Sequence, residues 1–363
     1  MRGAAAVGAG HLAALAREPR PAGSAAEEAA RLYAERVLTD AGFSVSREPF
    51  AYSTFPGRYG TPIGGAIAAV VVLVAAAVGI ATGARYAPLA ALVVGLLVLA
   101  AFAWSMLGDA VLTLPVARAT GVNVVATRGG EAPRVWLVAH LDSKSQPVPS
   151  LLRVVGVMML VSALVLAIVA AVLQLASLPN RMVWWVAVLD ALAGAAPVLA
   201  SVVSARSPGA LDNASGVAAV LAAAELLPPR AAVGILVSSA EELGLAGARA
   251  WATTRAPGVA LNCDGVDDEG DLTIMHGSNA PTDVMDAVRR VAARDVHVRR
   301  MPLGLLTDSV ALADRGWRAI TVSRGSLASL RRVHTPDDSL EMLRGTGIQE
   351  TAIVLARAAE ALS

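Results

Sequence analysis

Four stretches of this chain are long, apolar and nearly free of charge: residues 63–84, 86–107, 154–178 and 182–205. Each is about as long as a helix must be to cross a hydrocarbon core of ~30 Å. Only Arg85 separates the first two, and Pro179-Asn180-Arg181 joins the last two, so each pair closes into a hairpin. The competing reading is a set of buried helices in a large soluble core. Four runs above the ~18-residue threshold for a membrane span argue against it. Composition agrees: 55% of the chain is hydrophobic and 16% charged, whereas soluble domains carry about a quarter charged residues.

Two hairpins fix a topology. Residues 1–60, 108–150 and 206–363 fall on one face of the bilayer. Arg58, Arg118, Lys144, Arg153 and Arg206 flank the spans on that face, against Arg85 and Arg181 in the short turns. The positive-inside rule then expects a multi-pass cell-membrane protein with its polar part in the cytoplasm. The N-terminal stretch points the same way, because Arg17, Glu18 and Arg20 interrupt any secretory apolar core. Trp104, Trp184 and Trp185 lie near expected span ends, where interfacial aromatics collect. Asp190, inside the fourth span, needs a polar partner, and Gln174 on the preceding span is the candidate. A net charge of +1 gives no nucleic-acid footprint. The single Cys263 excludes an internal disulfide.

With the spans set aside, the rest alternates strand and helix. Ser24 followed by Glu27 has capping-box spacing before a helix at 29–38. Residues 120–127, 134–140, 232–239, 258–264 and 318–324 read as strands, and 217–227 and 346–362 as helices. This pattern predicts an α/β fold with a mostly parallel central sheet flanked by helices. The organisation is therefore a polar domain in three pieces (1–60, 108–150 and 206–363) interrupted by hairpins at 63–107 and 151–205.

The polar residues fall at strand ends. His140 and Asp142 follow the second strand, Glu241-Glu242 the third and Asp264 the fourth, where open α/β sheets place ligands. Singly these are ordinary features: a surface His-x-Asp turn, solvated acids, an Asp-Asn helix cap, a turn aspartate. Together they supply imidazole and carboxylate donors suited to zinc, and an adjacent Glu pair in which one side chain can ligate while the other acts as base.

The motifs Ala139-His140-Leu141-Asp142-Ser143, Leu211-Asp212-Asn213-Ala214-Ser215-Gly216, Ala240-Glu241-Glu242-Leu243-Gly244, Asn262-Cys263-Asp264-Gly265 and His334-Thr335-Pro336-Asp337-Asp338 together resemble the M28 family of zinc peptidases, which includes bacterial zinc aminopeptidases. The segment from Leu12 to Phe50, with Arg20-Pro21-Ala22-Gly23-Ser24, resembles that family's N-terminal region. The resemblance implies two Zn²⁺ per chain. Asp212 would bridge them, His140 and Asp264 would complete one site, and Glu242 and His334 the other. Glu241 would be the general base, and Asp142 would hold His140 in its ligating tautomer. Peptides or protein N-termini would be the substrates and the lipid bilayer the other partner; the oligomeric state is left open.

Three departures qualify the match. The second hairpin separates the His140 and Asp212 motifs, which lie close together in relatives. Val333 replaces a Tyr that steadies the tetrahedral intermediate in some relatives. Thr307-Asp308-Ser309 stands where Ser-Asp-His is common, so Asp308 either backs the site or is a plain loop acid. His11 and His297 read as surface residues, and His276 is a loop residue left out of the site; Lys144 reads as a solvated juxtamembrane charge, with contact to a substrate carboxylate or a lipid phosphate as the alternative. Two other readings stay open: a one-zinc amidohydrolase resembling glutaminyl cyclase, and an inactive membrane scaffold.

Overall fold

The computed structural model describes residues 2–128, 132–302 and 304–363. The chain divides into two compact units: Met1–Thr54, Leu112–Ser145 and Ala205–Ser363 form one, Phe55–Val111 and Gln146–Ser204 the other. In chain order the helices are α1 (Arg2–Leu15), α2 (Ala25–Asp40), α3 (Phe55–Thr82), α4 (Ala87–Met106), the single turn α5 (Ala110–Thr113), α6 (Ser150–Leu175) and α7 (Arg181–Leu199). There follow α8 (Ser215–Leu226), α9 (Ala246–Ala252), α10 (Thr282–Val291), α11 (Asp308–Ala313), α12 (Leu327–Arg332) and α13 (Thr346–Leu362).

The first unit is built on an eight-stranded sheet. Its strands are β1 (Ser44–Ser53), β2 (Arg118–Thr127), β3 (Val135–His140), β4 (Val233–Ser238), β5 (Val259–Val266), β6 (Asp271–His276), β7 (Val296–Arg300) and β8 (Arg318–Gly325). The spatial order is β1-β2-β4-β3-β5-β8-β6-β7. The central four, β4-β3-β5-β8, are parallel, as the alternation of strands and helices predicts. Antiparallel pairings (β1–β2, β2–β4 and β6–β8) make the flanks mixed. β3 and β4 are buried along their whole length because helices cover both faces. On one face Leu137, Ile235 and Leu261 meet Val217, Leu221 and Leu355 of α8 and α13. On the other, Trp136, Trp251 and Trp317 stack edge-on or tilted, with centroids 4.7 and 5.0 Å apart.

Both interruptions of this unit leave and return at adjacent points. β1 and β2 pair as a hairpin down to Ser53 opposite Arg118, and Thr54 N donates to Ala117 O at 2.9 Å. At the second interruption, Arg206 N donates to Ser145 Oγ at 2.8 Å. Such closely spaced ends let a long insertion sit in a surface loop at small entropic cost.

The second unit consists of two antiparallel helix pairs, and all four long helices are long and apolar enough to span a membrane. Small residues make the close approaches. A Cβ on Gly194 would come within 2.7 Å of Gly156 O, and one on Gly156 within 2.8 Å of Gly194 O, so α6 and α7 touch backbone to backbone. Most of the exposed large apolar side chains, Val94, Leu97, Met158 and Leu189 among them, belong to these helices.

Several expectations for the spans change. α3 starts at Phe55, well before residue 63, because helical hydrogen bonding continues through a polar first turn that hydropathy skips. α7 stops at Leu199 instead of 205. Trp184 is buried, not interfacial, and donates to Gln174 Oε1 at 3.0 Å. Gln174 is therefore engaged with Trp184 and with Gly79 O and Ala84 O. Asp190 takes its hydrogen bond from Ser162 Oγ at 2.9 Å.

Candidate metal centre

The predicted donors converge at the carboxyl ends of the parallel strands. His140 is the last residue of β3, and Asp264 lies near the end of β5. Asp212 sits at a kink in the Ala210–Ala214 turn, where its backbone is non-helical (φ −118°, ψ 89°), just before α8. Glu241 and Glu242 open a 3₁₀ turn, Glu241–Leu243, directly after β4. His334 follows α12. Ala240 and His334 both hold positive φ, 58° and 65°, a conformation costly for residues with a Cβ and typical of sites where side-chain direction matters.

Asp212 is central. Its Oδ1 lies 3.2 Å from His140 Nε2 and its Oδ2 2.9 Å from His334 Nε2. His140 Nε2 also faces Asp264 Oδ1 at 3.7 Å and Glu241 Oε2 at 3.9 Å. His334 Nε2 faces Glu242 Oε1 at 3.4 Å. Two groups of three donors, each within 4.8 Å of one another, result: His140, Glu241 and Asp264, then Asp212, Glu242 and His334. Glu241 thus stands among the first group's donors, where the sequence reading counted Asp212. Asp212 is still the nearer of the two to His140.

The donor chemistry fits zinc. Both groups mix imidazole with carboxylate, the set a borderline-soft divalent ion prefers. Glu242 Oε1 is buried and makes no hydrogen bond, a cost removed if a cation takes its lone pair.

Electrostatics follow from crowding. Burial opposes charge on His140, but Glu241, Asp212 and Asp264 overcome it and hold the imidazole well above its ordinary pKa. Burial likewise works against Asp212, yet its bonds to His140 and His334 keep it well below the usual carboxylate range. Glu241 is pushed well above that range by burial and then by Glu242, Asp264 and Asp308, against the pull of His140. Burial also acts on Glu242, but Lys144 and His334 hold it down to about 2.

The surrounding contacts correct several readings. Asp142 does not orient His140 through its carboxylate. His140 Nδ1 lies 3.0 Å from the Asp142 backbone carbonyl, and the nearer carboxylate oxygen is 3.8 Å away. The tautomer that leaves Nε2 free is therefore set by the carbonyl. The carboxylate instead accepts Glu241 N at 3.1 Å and Glu242 N at 3.2 Å, fixing the Glu-Glu turn, and burial raises it to about 7. Asp308 is no loop acid: it is fully buried and accepts a hydrogen bond from Ser238 Oγ. Lys144 is no freely solvated charge: it is only partly exposed and its ammonium pairs with Glu242 Oε2. His11 is buried, with Nδ1 2.8 Å from Tyr33 Oη. His297 is exposed beside Asp271, and His276 contacts Gly277 O and lies outside both donor groups.

Three supporting residues stand inside the quoted motifs, but the sequence assigned them no role. Asp338 accepts Leu211 N at 2.6 Å and Asp212 N at 3.1 Å. Asn213 Oδ1 accepts Gly216 N and Gly265 N, and its Nδ2 donates to Cys263 O, tying the Asp212 turn to β5. Arg20 is 1% exposed, and its guanidinium donates to Leu15 O, Leu141 O, Pro208 O and Gly209 O.

Comparison with known proteins places this arrangement. The model for peptidase family M28 matches residues 123–359. Among solved structures, an aminopeptidase from Aneurinibacillus sp. strain AM-1 is similar over 99% of this chain and 93% of its own, with a TM-score of 0.58 and 15% identity. A zinc aminopeptidase from Bacillus subtilis is similar over 98% and 94%, with a TM-score of 0.55 and 14% identity. A glutaminyl cyclase from Fimbriiglobus ruber is similar over 99% and 95%, with a TM-score of 0.56 and 12% identity. No curated protein matches in sequence. At these identities the structural likeness establishes the fold alone.

Proposed function

From the premise that this chain belongs to peptidase family M28, we propose that it is a membrane-anchored, two-zinc aminopeptidase. The observation that carries the reading is the Asp212 carboxylate, with one oxygen turned to His140 and the other to His334. Asp212 would be shared by both ions, with His140 and Asp264 holding one and Glu242 and His334 the other. Bound there, zinc would polarise the scissile carbonyl and acidify water.

The chain's own residues do the rest. Glu241 accepts a proton from the attacking water on its carboxylate and returns it to the departing amine nitrogen as the C–N bond breaks. Asp142 keeps Glu241 and Glu242 diverging from one turn by holding both their amides. Asp338 and Asn213 hold the Asp212 turn.

The four apolar helices support insertion as two hairpins, with the three segments of the first unit on the cytoplasmic side. A reporter fused at Ser363 that works only on the outer face would reverse that orientation. The decisive experiment on function is a metal count on detergent-solubilised protein combined with an aminoacyl-substrate panel and a chelator control. Two zincs with chelator-sensitive release of N-terminal residues is the expected result. One zinc with cyclisation of N-terminal glutaminyl peptides would replace this reading with a cyclase, and no bound metal would leave an inactive scaffold.

A further inference from the structure

Lys144 is the only lysine in a chain whose other basic residues are all arginine. It lies in the loop after β3, and its ammonium meets Glu242 Oε2 while Glu242 Oε1 turns to His334. The cation therefore contacts one member of the second donor group directly. Its side chain keeps 16% exposure, so the position is open at its edge.

That placement exceeds what neutralising Glu242 requires. An ammonium has three donors, and the pair with Glu242 engages one. A cation bound by the Asp212, Glu242 and His334 group would take over much of Glu242's charge, leaving the ammonium able to attract another anion. A positive charge at this edge repels a substrate's α-ammonium and attracts its carboxylate. In a peptide, the carboxyl carbon of the residue after the scissile bond lies about 4 Å from the scissile carbonyl carbon. Only a dipeptide ends there.

We propose that Lys144 binds the free C-terminal carboxylate of the substrate and so makes unblocked dipeptides the preferred class. This rests on the peptidase reading above. Lys144 is a specificity residue here: it holds the departing residue's carboxylate and takes no part in proton transfer.

The test uses full-length, zinc-loaded protein in detergent with leucyl-glycine, leucyl-glycine amide and glutamyl-glycine amide. Binding of a non-hydrolysable reduced-bond leucyl-glycine, as free acid and as amide, is measured alongside by calorimetry. One charge-assisted contact predicts that the free acid is favoured at least about tenfold in kcat/KM, mostly through KM, and comparably in calorimetric affinity. Lys144→Gln should collapse that preference with zinc content unchanged, and Lys144→Arg should restore part of it. Equal handling of acid and amide by the parent protein overturns the proposal, as does loss of zinc from Lys144→Gln, which would make Lys144 a structural counter-charge. A preference for glutamyl-glycine amide would assign the ammonium to an acidic first side chain and also overturn it. If nothing is hydrolysed, the peptidase reading fails, and the calorimetric comparison still decides what Lys144 binds.

Discussion

Replacing Arg20 by Met should do more damage than any other single change of a basic residue far from catalysis. The guanidinium is 1% exposed and donates to four backbone carbonyls: Leu15 at 2.8 Å, Leu141 at 3.0 Å, Pro208 at 2.6 Å and Gly209 at 3.0 Å. Its own backbone exchanges bonds with Ser143, whose hydroxyl reaches Ser207 O. Arg20 thus clamps the loop after His140 to the loop before Asp212, across the point where residues 146–204 are inserted. Hydrogen bonds to a charged donor contribute roughly 1.5–3 kcal/mol each, and a buried carbonyl left without a donor costs about 1–3 kcal/mol. The four are not additive and one buried charge is removed, so a net loss of about 3–5 kcal/mol is expected. In a body of this size that lowers Tm by roughly 10 °C. Because both donor groups hang on the clamped loops, zinc affinity should fall about 10- to 100-fold.

The control is Arg47→Met. Arg47 has two acidic partners, Glu28 at 2.9 Å and Glu35 at 2.6 Å, but its side chain is 42% exposed. Water screens such pairs to about 0–1 kcal/mol. A count of ion pairs would rank Arg47 above Arg20, and burial reverses the order. Thermal unfolding and zinc competition on solubilised protein measure both variants. An Arg20→Met protein that melts within roughly 2 °C of the parent and binds zinc equally well would refute the clamp.

Glu241→Gln should lower kcat by about 10²- to 10⁴-fold while zinc stays near two per chain; metal analysis beside steady-state kinetics checks this, and substantial residual turnover would remove Glu241 as base. Metal-free protein should lose stability as pH rises across the neutral window around 7. His140, His334 and Glu241 carry raised folded-state proton affinities, and Asp142 titrates near 7. The folded state therefore binds more protons than the unfolded chain across that window, and ∂ΔG/∂pH is negative. Asp212 and Glu242, both lowered, are ionised in either state there and contribute nothing. Zinc loading should flatten the slope in a Tm–pH series, and a metal-free Tm that climbs across that window would contradict the assignment. Bridging Ser145 to Arg206 with a short polar loop in place of residues 146–204 should leave a zinc-binding protein that still cleaves small peptides, since those two residues already touch. Folded, zinc-bound but inactive protein would make the second hairpin part of the site.

Much of this molecule is legible in one dimension. Hydropathy marks the four long helices, because a run that cannot face water declares itself residue by residue. The central strands β3 and β4 are equally plain, being buried along their whole length, and β5 and β8 show as apolar runs before their polar ends. β1, β6 and β7 were not anticipated: their sequences, SVSREPFAYS, DLTIMH and VHVRR, are half-exposed, polar or short, and their pairing is supplied by neighbours. At the centre the donors His140, Asp212, Glu241, Glu242, Asp264 and His334 stand in ordered motifs and can be named from sequence. What holds them cannot. Arg20 acts on residues more than a hundred positions away, and Lys144 looks like any charge beside a membrane until β4 brings Glu242 against it. The sequence alone determined which groups could bind metal and which segments are long and apolar enough to span a membrane, since both follow from side-chain chemistry. Only the tertiary structure decided which carboxylate faces which imidazole, that Asp142 grips two amides instead of one histidine, and that the lone lysine points inward, because those depend on contacts between residues the chain keeps far apart.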